Sequence, residues 1–340
     1  MPETLSFSPG KSTNVRFKAG ASARRAGLSL LGRVLPGAAA AAAERLFFTP
    51  PPASRADVVL PPGARPLDVR VDGRRVAAWR WGKGPVVVLV HGWGGRAAQF
   101  APLVAPLTAR GFTAVAFDAP GHGTTSAGRS SMPEFARTLR AVADVVGAPH
   151  AVVGHSLGAA AAAFAVNAGL RPARLVLVAP AADPAVWTRV FAARLGLGDE
   201  VMRRMRARSE ERLGFRWSDL PLPLLLRSYT GELFVVHDRD DREVPWTEGR
   251  AVAEAVPGAR MLLTGGLGHR RVLRDPEVVS RTAAFVAAPL AEGAPGAGAA
   301  DAGCEACGRA VAPPHAVCAT CTLERALFDP RLRGGWARTA

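Results

Sequence analysis

From Pro85 onward the chain alternates short apolar runs with segments of helical periodicity, and this rhythm limits its architecture more than any other feature. Pro85–Val90, Phe112–Phe117, His150–Val153, Arg174–Val178, Leu233–His237 and Arg260–Leu263 read as strands. Glu134–Val145, Leu157–Ala168, Thr247–Ala255 and Pro276–Ala287 read as the helices among them. Strands that are apolar almost throughout must be buried on both faces, the state of a mostly parallel sheet with crossover helices on either side. Upstream, Leu67–Val71 and Arg75–Trp81 flank Asp72-Gly73 and read as a hairpin. A chain of 340 residues buries a core of this kind without disulfide or metal staples.

Two stretches depart from the rhythm. Between Ala181 and Thr230, Arg203, Arg204, Arg206, Arg208, Arg212 and Arg216 accompany Met202, Met205, Leu213 and Trp217 at helical spacing. This predicts a helical cap, residues 181–230, over the C-terminal edge of the sheet, with its Met and Trp side chains lining an apolar pocket. At the other end, residues 1–55 read as a basic leader with an Ala-rich amphipathic helix ending near Phe48. Arg33 and Pro36 interrupt the apolar run Gly27–Ala43 and no small-residue cleavage site follows, so a cytoplasmic location is expected. Ala151–Leu170 is uncharged and long enough to raise a membrane span, but Gly154, His155, Ser156 and Gly158 at its centre read as a buried strand entering a buried helix. The main domain is then 56–288, residues 289–303 form an Ala/Gly/Pro-rich flexible linker, and 304–340 form a small tail.

Forty-three Lys and Arg against 28 Asp and Glu give a formal charge of +15, which raises nucleic acid or an anionic membrane as partners. The only lysines are Lys11, Lys18 and Lys83, the arginines are scattered, and no nucleic-acid-reading motif is present. The excess reads as a compositional bias toward Arg, Ala, Gly and Pro. Nucleic acid is not an expected partner, and action at a membrane surface is the weaker reading.

The chemistry concentrates on Gly154-His155-Ser156-Leu157-Gly158, a G-x-S-x-G set between an apolar strand and an Ala-rich helix. In that context the serine sits on a turn too tight for neighbours with a Cβ, its hydroxyl clear of the sheet and the next helix's N-terminus facing the developing negative charge. A serine hydroxyl needs a base. Gly265-Gly266-Leu267-Gly268-His269 follows the last strand and supplies one, while Asp238, Asp240 and Asp241 close the preceding strand. Val90-His91-Gly92-Trp93-Gly94-Gly95 follows the first parallel strand, and Phe117–Thr125 carries a second Gly-rich loop.

The order Ser, Asp, His together with these loops resembles the α/β-hydrolase superfamily over about residues 65–288. The resemblance implies an α/β-hydrolase fold, with Ser156 as nucleophile, His269 as base and Asp241 as the acid that orients it. Asp240 and Asp238 are near enough to compete for that last role, and Asp183 stands where some relatives place it. The backbone N–H groups of Trp93 and Leu157 would form the oxyanion hole. Asp118-x-x-Gly121-x-Gly123-x-Thr125 matches a loop of the family with threonine in place of serine, which keeps the hydroxyl. His91, His122, His155 and His237 read as packing or backbone-binding neighbours. The expected activity is hydrolysis of a carboxylic ester or thioester with an apolar portion, with no organic cofactor. Acyl transfer or other serine chemistry on the same scaffold, and a non-catalytic binding protein, are the rivals.

All four cysteines follow residue 300, in two pairs, Cys304-x-x-Cys307 and Cys318-x-x-Cys321. The first pair, followed by Gly308, resembles a zinc knuckle, and four thiolates make a closed structural Zn2+ site. The loop between the pairs is short, His315 is an alternative ligand, and disulfides, a redox dithiol or an iron–sulfur centre are the competing readings.

Overall fold

A computed structural model describes residues 19–52, 59–126 and 128–290, with side chains from residue 25, and the backbone of 302–303 and 310–311. Two helices come first, α1 (Ala19–Val34) and α2 (Pro36–Phe47). The break falls at Leu35 because a residue before proline is driven out of the α region; Leu35 adopts φ −134°, ψ 71°. A hairpin of β1 (Arg65–Val71) and β2 (Arg74–Trp81) follows. Both of its turn residues, Asp72 and Gly73, have positive φ, 50° and 75°, as the tight hairpin turn with matching twist requires.

The alternating part then runs β3 (Val86–Val90), α3 (Ala101–Thr108), β4 (Thr113–Phe117), α4 (Met132–Val146), β5 (Ala151–His155), α5 (Leu157–Asn167) and β6 (Arg174–Val178). The cap contributes α6 (Pro184–Leu195), α7 (Asp199–Leu213) and the single turn α8 (Leu222–Leu225). After it come β7 (Glu232–Asp238), α9 (Trp246–Ala255), β8 (Arg260–Thr264), the turn α10 (Gly268–Arg271) and α11 (Pro276–Ala287). Sequence periodicity does not reveal α3, because Pro102 and Pro106 obscure its pattern.

Eight strands form one sheet in the order β1-β2-β4-β3-β5-β6-β7-β8, antiparallel at β1–β2–β4 and parallel from β4 to β8. Val88, Val90 and Val115 point into the core beneath α4, α5 and α9, while Val87, Leu89 and Ala114 face the one beneath α3 and α11. Both faces are therefore dry, as the apolar strands demand. The chain leaves β3 for β4 on one side and returns to β5 on the other, so the crevice at the ends of β3 and β5 is a topological switch point.

Two arrangements are not visible in the sequence. Met202 and Met205 do not line the pocket. They pack with Val201 and Leu197 on Ala39, Ala40 and Ala43 of α2, because α7 turns its apolar stripe toward the N-terminal helices. Arg174 is fully buried in β6: it pairs with Glu232 at 2.9 Å and donates to the carbonyl oxygens of Val286 and Pro289, each at 2.8 Å. Among the described residues no helix is long and apolar enough to cross a membrane. Strands β9 (Ala302–Gly303) and β10 (Ala310–Val311) pair antiparallel. Cys304, Cys307, Cys318 and Cys321 lie outside the described residues.

Candidate active site

Ser156 stands between β5 and α5 with φ 55°, ψ −118°, a conformation that a residue with a Cβ adopts only under constraint. The flanking glycines explain how the turn closes. A Cβ on Gly154 would lie 2.6 Å from the Gly158 carbonyl oxygen, and one on Gly158 would collide with the carbonyl oxygens of Val90 and His91. Ala159 to Ala163 are all fully buried, so α5 packs directly on the sheet.

His269, in the turn α10, places Nε2 3.0 Å from Ser156 Oγ and Nδ1 2.7 Å from Asp241 Oδ2. The imidazole is thereby set to donate from Nδ1 to the carboxylate and to accept the serine proton at Nε2. The other oxygen of Asp241 accepts from the N–H groups of Glu243 and Val244, both at 2.8 Å. Burial pushes the Asp241 carboxyl up, but the hydrogen bonds from His237, His269 and the Val244 N–H outweigh it, and it ends well below the usual carboxylate range.

The competing carboxylates have other partners. Asp238 accepts from the N–H groups of Leu267 and Gly268 and from the Thr264 hydroxyl, so it holds the loop that carries His269. Asp240 accepts from the Gly266 N–H at 2.7 Å. Asp183 caps α6 through the Ala185 N–H at 2.9 Å. Of the four acids, the structure brings Asp241 to the imidazole.

The other described histidines bond to the backbone. His91 spans Gly92 O at 2.7 Å and the Ala119 N–H at 3.0 Å; burial, then the nearby His122, brings its pKa down to about 3. His155 donates from Nε2 to the His269 carbonyl oxygen at 2.9 Å, and burial, then the neighbouring His269, also brings it down to about 3. It thus holds the backbone behind the His269 imidazole, an arrangement the sequence does not signal. His237 donates to Val244 O at 3.0 Å and stands 3.4 Å from Asp241. His122 bonds to Pro120 O, and His150 to Val286 O.

The loop after β3 reaches Ser156 at Gly92, where a Cβ would stand 3.0 Å from Ser156 Cβ. Trp93 and Leu157 both line the cavity beside Ser156. Leu157 is the first residue of α5, whose leading N–H groups have no acceptor within the helix. Asp118 braces the opposite side: it accepts from the N–H groups of Ala97 and Thr124, while the Thr125 hydroxyl donates to its carbonyl oxygen. The cavity has a volume of about 710 Å3, and Phe47, Trp187, Phe191, Phe215 and Trp217 supply its aromatic walls.

The family model described as "Serine aminopeptidase, S33" matches residues 83–323. The chain belongs to the serine aminopeptidase S33 family. As an S33 protein it is similar to the dihydrolipoyllysine-residue acetyltransferase component of an acetoin-cleaving system from Cupriavidus necator, 40% identical over 116 residues, 32% of this chain and 30% of that one. It is also similar to human serine hydrolase-like protein, 34% identical over 99 residues, 27% of this chain and 48% of that one. The aligned stretches therefore span less than half of either relative. Among solved structures, ferulic acid-bound Est1E from Butyrivibrio proteoclasticus superposes with TM-score 0.53 at 17% identity, covering 65% of this chain and 96% of Est1E. A bromoperoxidase from Bacillus anthracis gives TM-score 0.50 at 16% identity, covering 65% and 99%. These likenesses establish the α/β-hydrolase fold of this S33 protein.

Proposed function

We propose that the protein cleaves a carboxylic ester or thioester through an acyl-enzyme on Ser156. The observation that carries this reading is the continuous chain Ser156 Oγ, His269, Asp241, with links of 3.0 and 2.7 Å. His269 takes the serine proton as Oγ attacks the carbonyl carbon, and Asp241 stabilises the imidazolium. The N–H groups of Trp93 and Leu157 hold the oxyanion, each contributing on the order of 3 kcal/mol. The alkoxide or thiolate leaves with the proton from His269; water then enters, deprotonated by the same imidazole, and releases the acid. An acceptor other than water would turn the second half into acyl transfer.

The family description raises peptide amino ends as substrates, and the cavity argues against them. Such a substrate brings an ammonium that needs a carboxylate. Among the described residues lining the cavity Glu243 is the only carboxylate, and it is exposed and bonded to Arg270 at 3.1 Å, with Arg194 and Arg242 adding positive charge. Labelling by a fluorophosphonate and turnover of p-nitrophenyl esters test the reading. Both are expected in the wild type and absent in Ser156→Ala; equal turnover in the variant overturns it.

For the tail, we propose that Cys304, Cys307, Cys318 and Cys321 hold one structural zinc, since two C-x-x-C pairs supply the four thiolates of a closed tetrahedral site. Metal analysis of the full chain is expected to find about one zinc per chain, lost in Cys304→Ser/Cys307→Ser.

A further inference from the structure

One wall of the cavity over Ser156 comes from outside the matched family region. That region starts at residue 83, yet Leu46–Phe48 and Pro51 line the cavity alongside the cap. The segment is locked at three points. Glu44, buried on α2, pairs with Arg208 at 3.3 Å and Arg212 at 2.5 Å on α7, and the Arg212 guanidinium lies 4.7 Å over the Phe48 ring. The Phe48 carbonyl oxygen accepts from the Ser130 N–H at 2.8 Å, tying the segment to the loop before α4. Pro51 closes on the loop after β3, where a Cβ on Gly94 would stand 2.9 Å from its Cγ.

Phe47 is the centre of this arrangement. Its ring meets Phe48 at 5.0 Å, Phe191 of α6 at 5.2 Å and Trp217 at 6.1 Å, all edge to face, and Phe215 packs on Trp217 at 5.8 Å. Phe47 and Phe48 come from the N-terminal segment and Phe191, Phe215 and Trp217 from the cap more than 140 residues later, so the box exists only when the N-terminal segment is docked. A ring in an apolar wall discriminates by volume, because an extra methylene either fills space or collides.

We infer that residues 46–52 are the specificity element of this enzyme: they close an aromatic box around a bulky apolar acyl group, and Phe47 sets the largest group admitted. This rests on the ester-cleaving reading of Ser156. The test uses the full chain and p-nitrophenyl esters from acetate to dodecanoate. Phe47→Leu and then Phe47→Ala are expected to shift the preference stepwise toward longer chains, with the dodecanoate-to-butyrate ratio of kcat/KM changing about tenfold in the alanine variant, chiefly through KM. A preference that is unchanged, or that falls in parallel for every ester while thermal unfolding stays like wild type, overturns the inference.

A second measurement is independent of turnover. Trp187 and Trp217 line the same cavity, so quenching of their fluorescence by saturated carboxylic acids of rising length reads the wall directly. The length preference is expected to move in Phe47→Ala as it does with esters; identical binding profiles in both proteins overturn the inference. If no ester is turned over but the binding preference shifts, the chemistry assigned to Ser156 fails and the wall stands.

Discussion

The elbow around Ser156 and the box above it touch the same cavity, yet they are held by different physics. The elbow is fixed by backbone: carbonyl oxygens that exclude a Cβ at Gly154 and Gly158, and carboxylates that collect N–H groups from the histidine loop. The box is fixed by side chains from remote segments, five aromatic rings and one buried carboxylate between two arginines. Geometry imposed by backbone tolerates almost no variation. Geometry imposed by ring packing tolerates graded change, so chemistry and specificity should respond differently to substitution.

The sharpest break of that contrast lies at the elbow. Ser156→Ala should lower ester turnover by about four to six orders of magnitude, and His269→Ala should do likewise, since the two act as one unit. Urea unfolding should move by less than about 1 kcal/mol in Ser156→Ala, because the turn is held by its neighbours. Asp241→Asn should cost roughly a thousandfold, the amide favouring the wrong imidazole tautomer. Asp183→Asn, measured beside it, should retain turnover, because asparagine still caps α6. Loss of activity in Asp183→Asn with retention in Asp241→Asn would reassign the acid.

Next in size is Gly158→Ala. Its Cβ meets backbone oxygens that cannot give way, so at least about 1–3 kcal/mol of stability should be lost, seen as a lower urea midpoint. In the box, Glu44→Gln leaves Arg208 and Arg212 without their carboxylate and should cost about 1–2 kcal/mol, discounted because Arg208 is half exposed. Calorimetric melting of the two variants side by side tests whether the elbow is the stiffer region; equal losses would erase the distinction.

The smallest effect is graded in pH. His91 and His155 are held neutral with pKa values near 3 against 6.5 for a free imidazole. Because the unfolded chain takes up their protons first, their contribution is complete above about pH 6.5 and is lost as pH falls toward 3. Asp241, also lowered, adds loss in the same direction at the acid end of that window. Melting temperatures across this range should fall with acid, and His155→Gln should flatten the decline.

Much of the elbow was legible in the sequence for the reason that makes it rigid. A backbone-imposed turn needs particular residues at fixed spacing, so Gly154, Ser156 and Gly158 announce themselves, as does the glycine run before His269. The strand rhythm was equally plain, since a strand dry on both faces has few choices of side chain. The acid is legible only through the resemblance, which points to Asp241 with Asp238, Asp240 and Asp183 as rivals, because which carboxylate meets an imidazole depends on how two loops fold together. Of the box, only Trp217 was legible, as a cap residue expected to line the pocket. Its rings sit in segments with no common period, and Met202 and Met205 of α7, expected to line the pocket, instead pack on α2.

Arg174 gives the molecule a direction of mechanical strength. Its guanidinium grips the chain at Val286 and Pro289, and its own backbone belongs to β6, hydrogen-bonded along its length to β5 and β7. A pull applied at Pro289 therefore does not peel α11 away turn by turn. It is met first by the two Arg174 hydrogen bonds, which tie the end of α11 to an interior strand held on both sides.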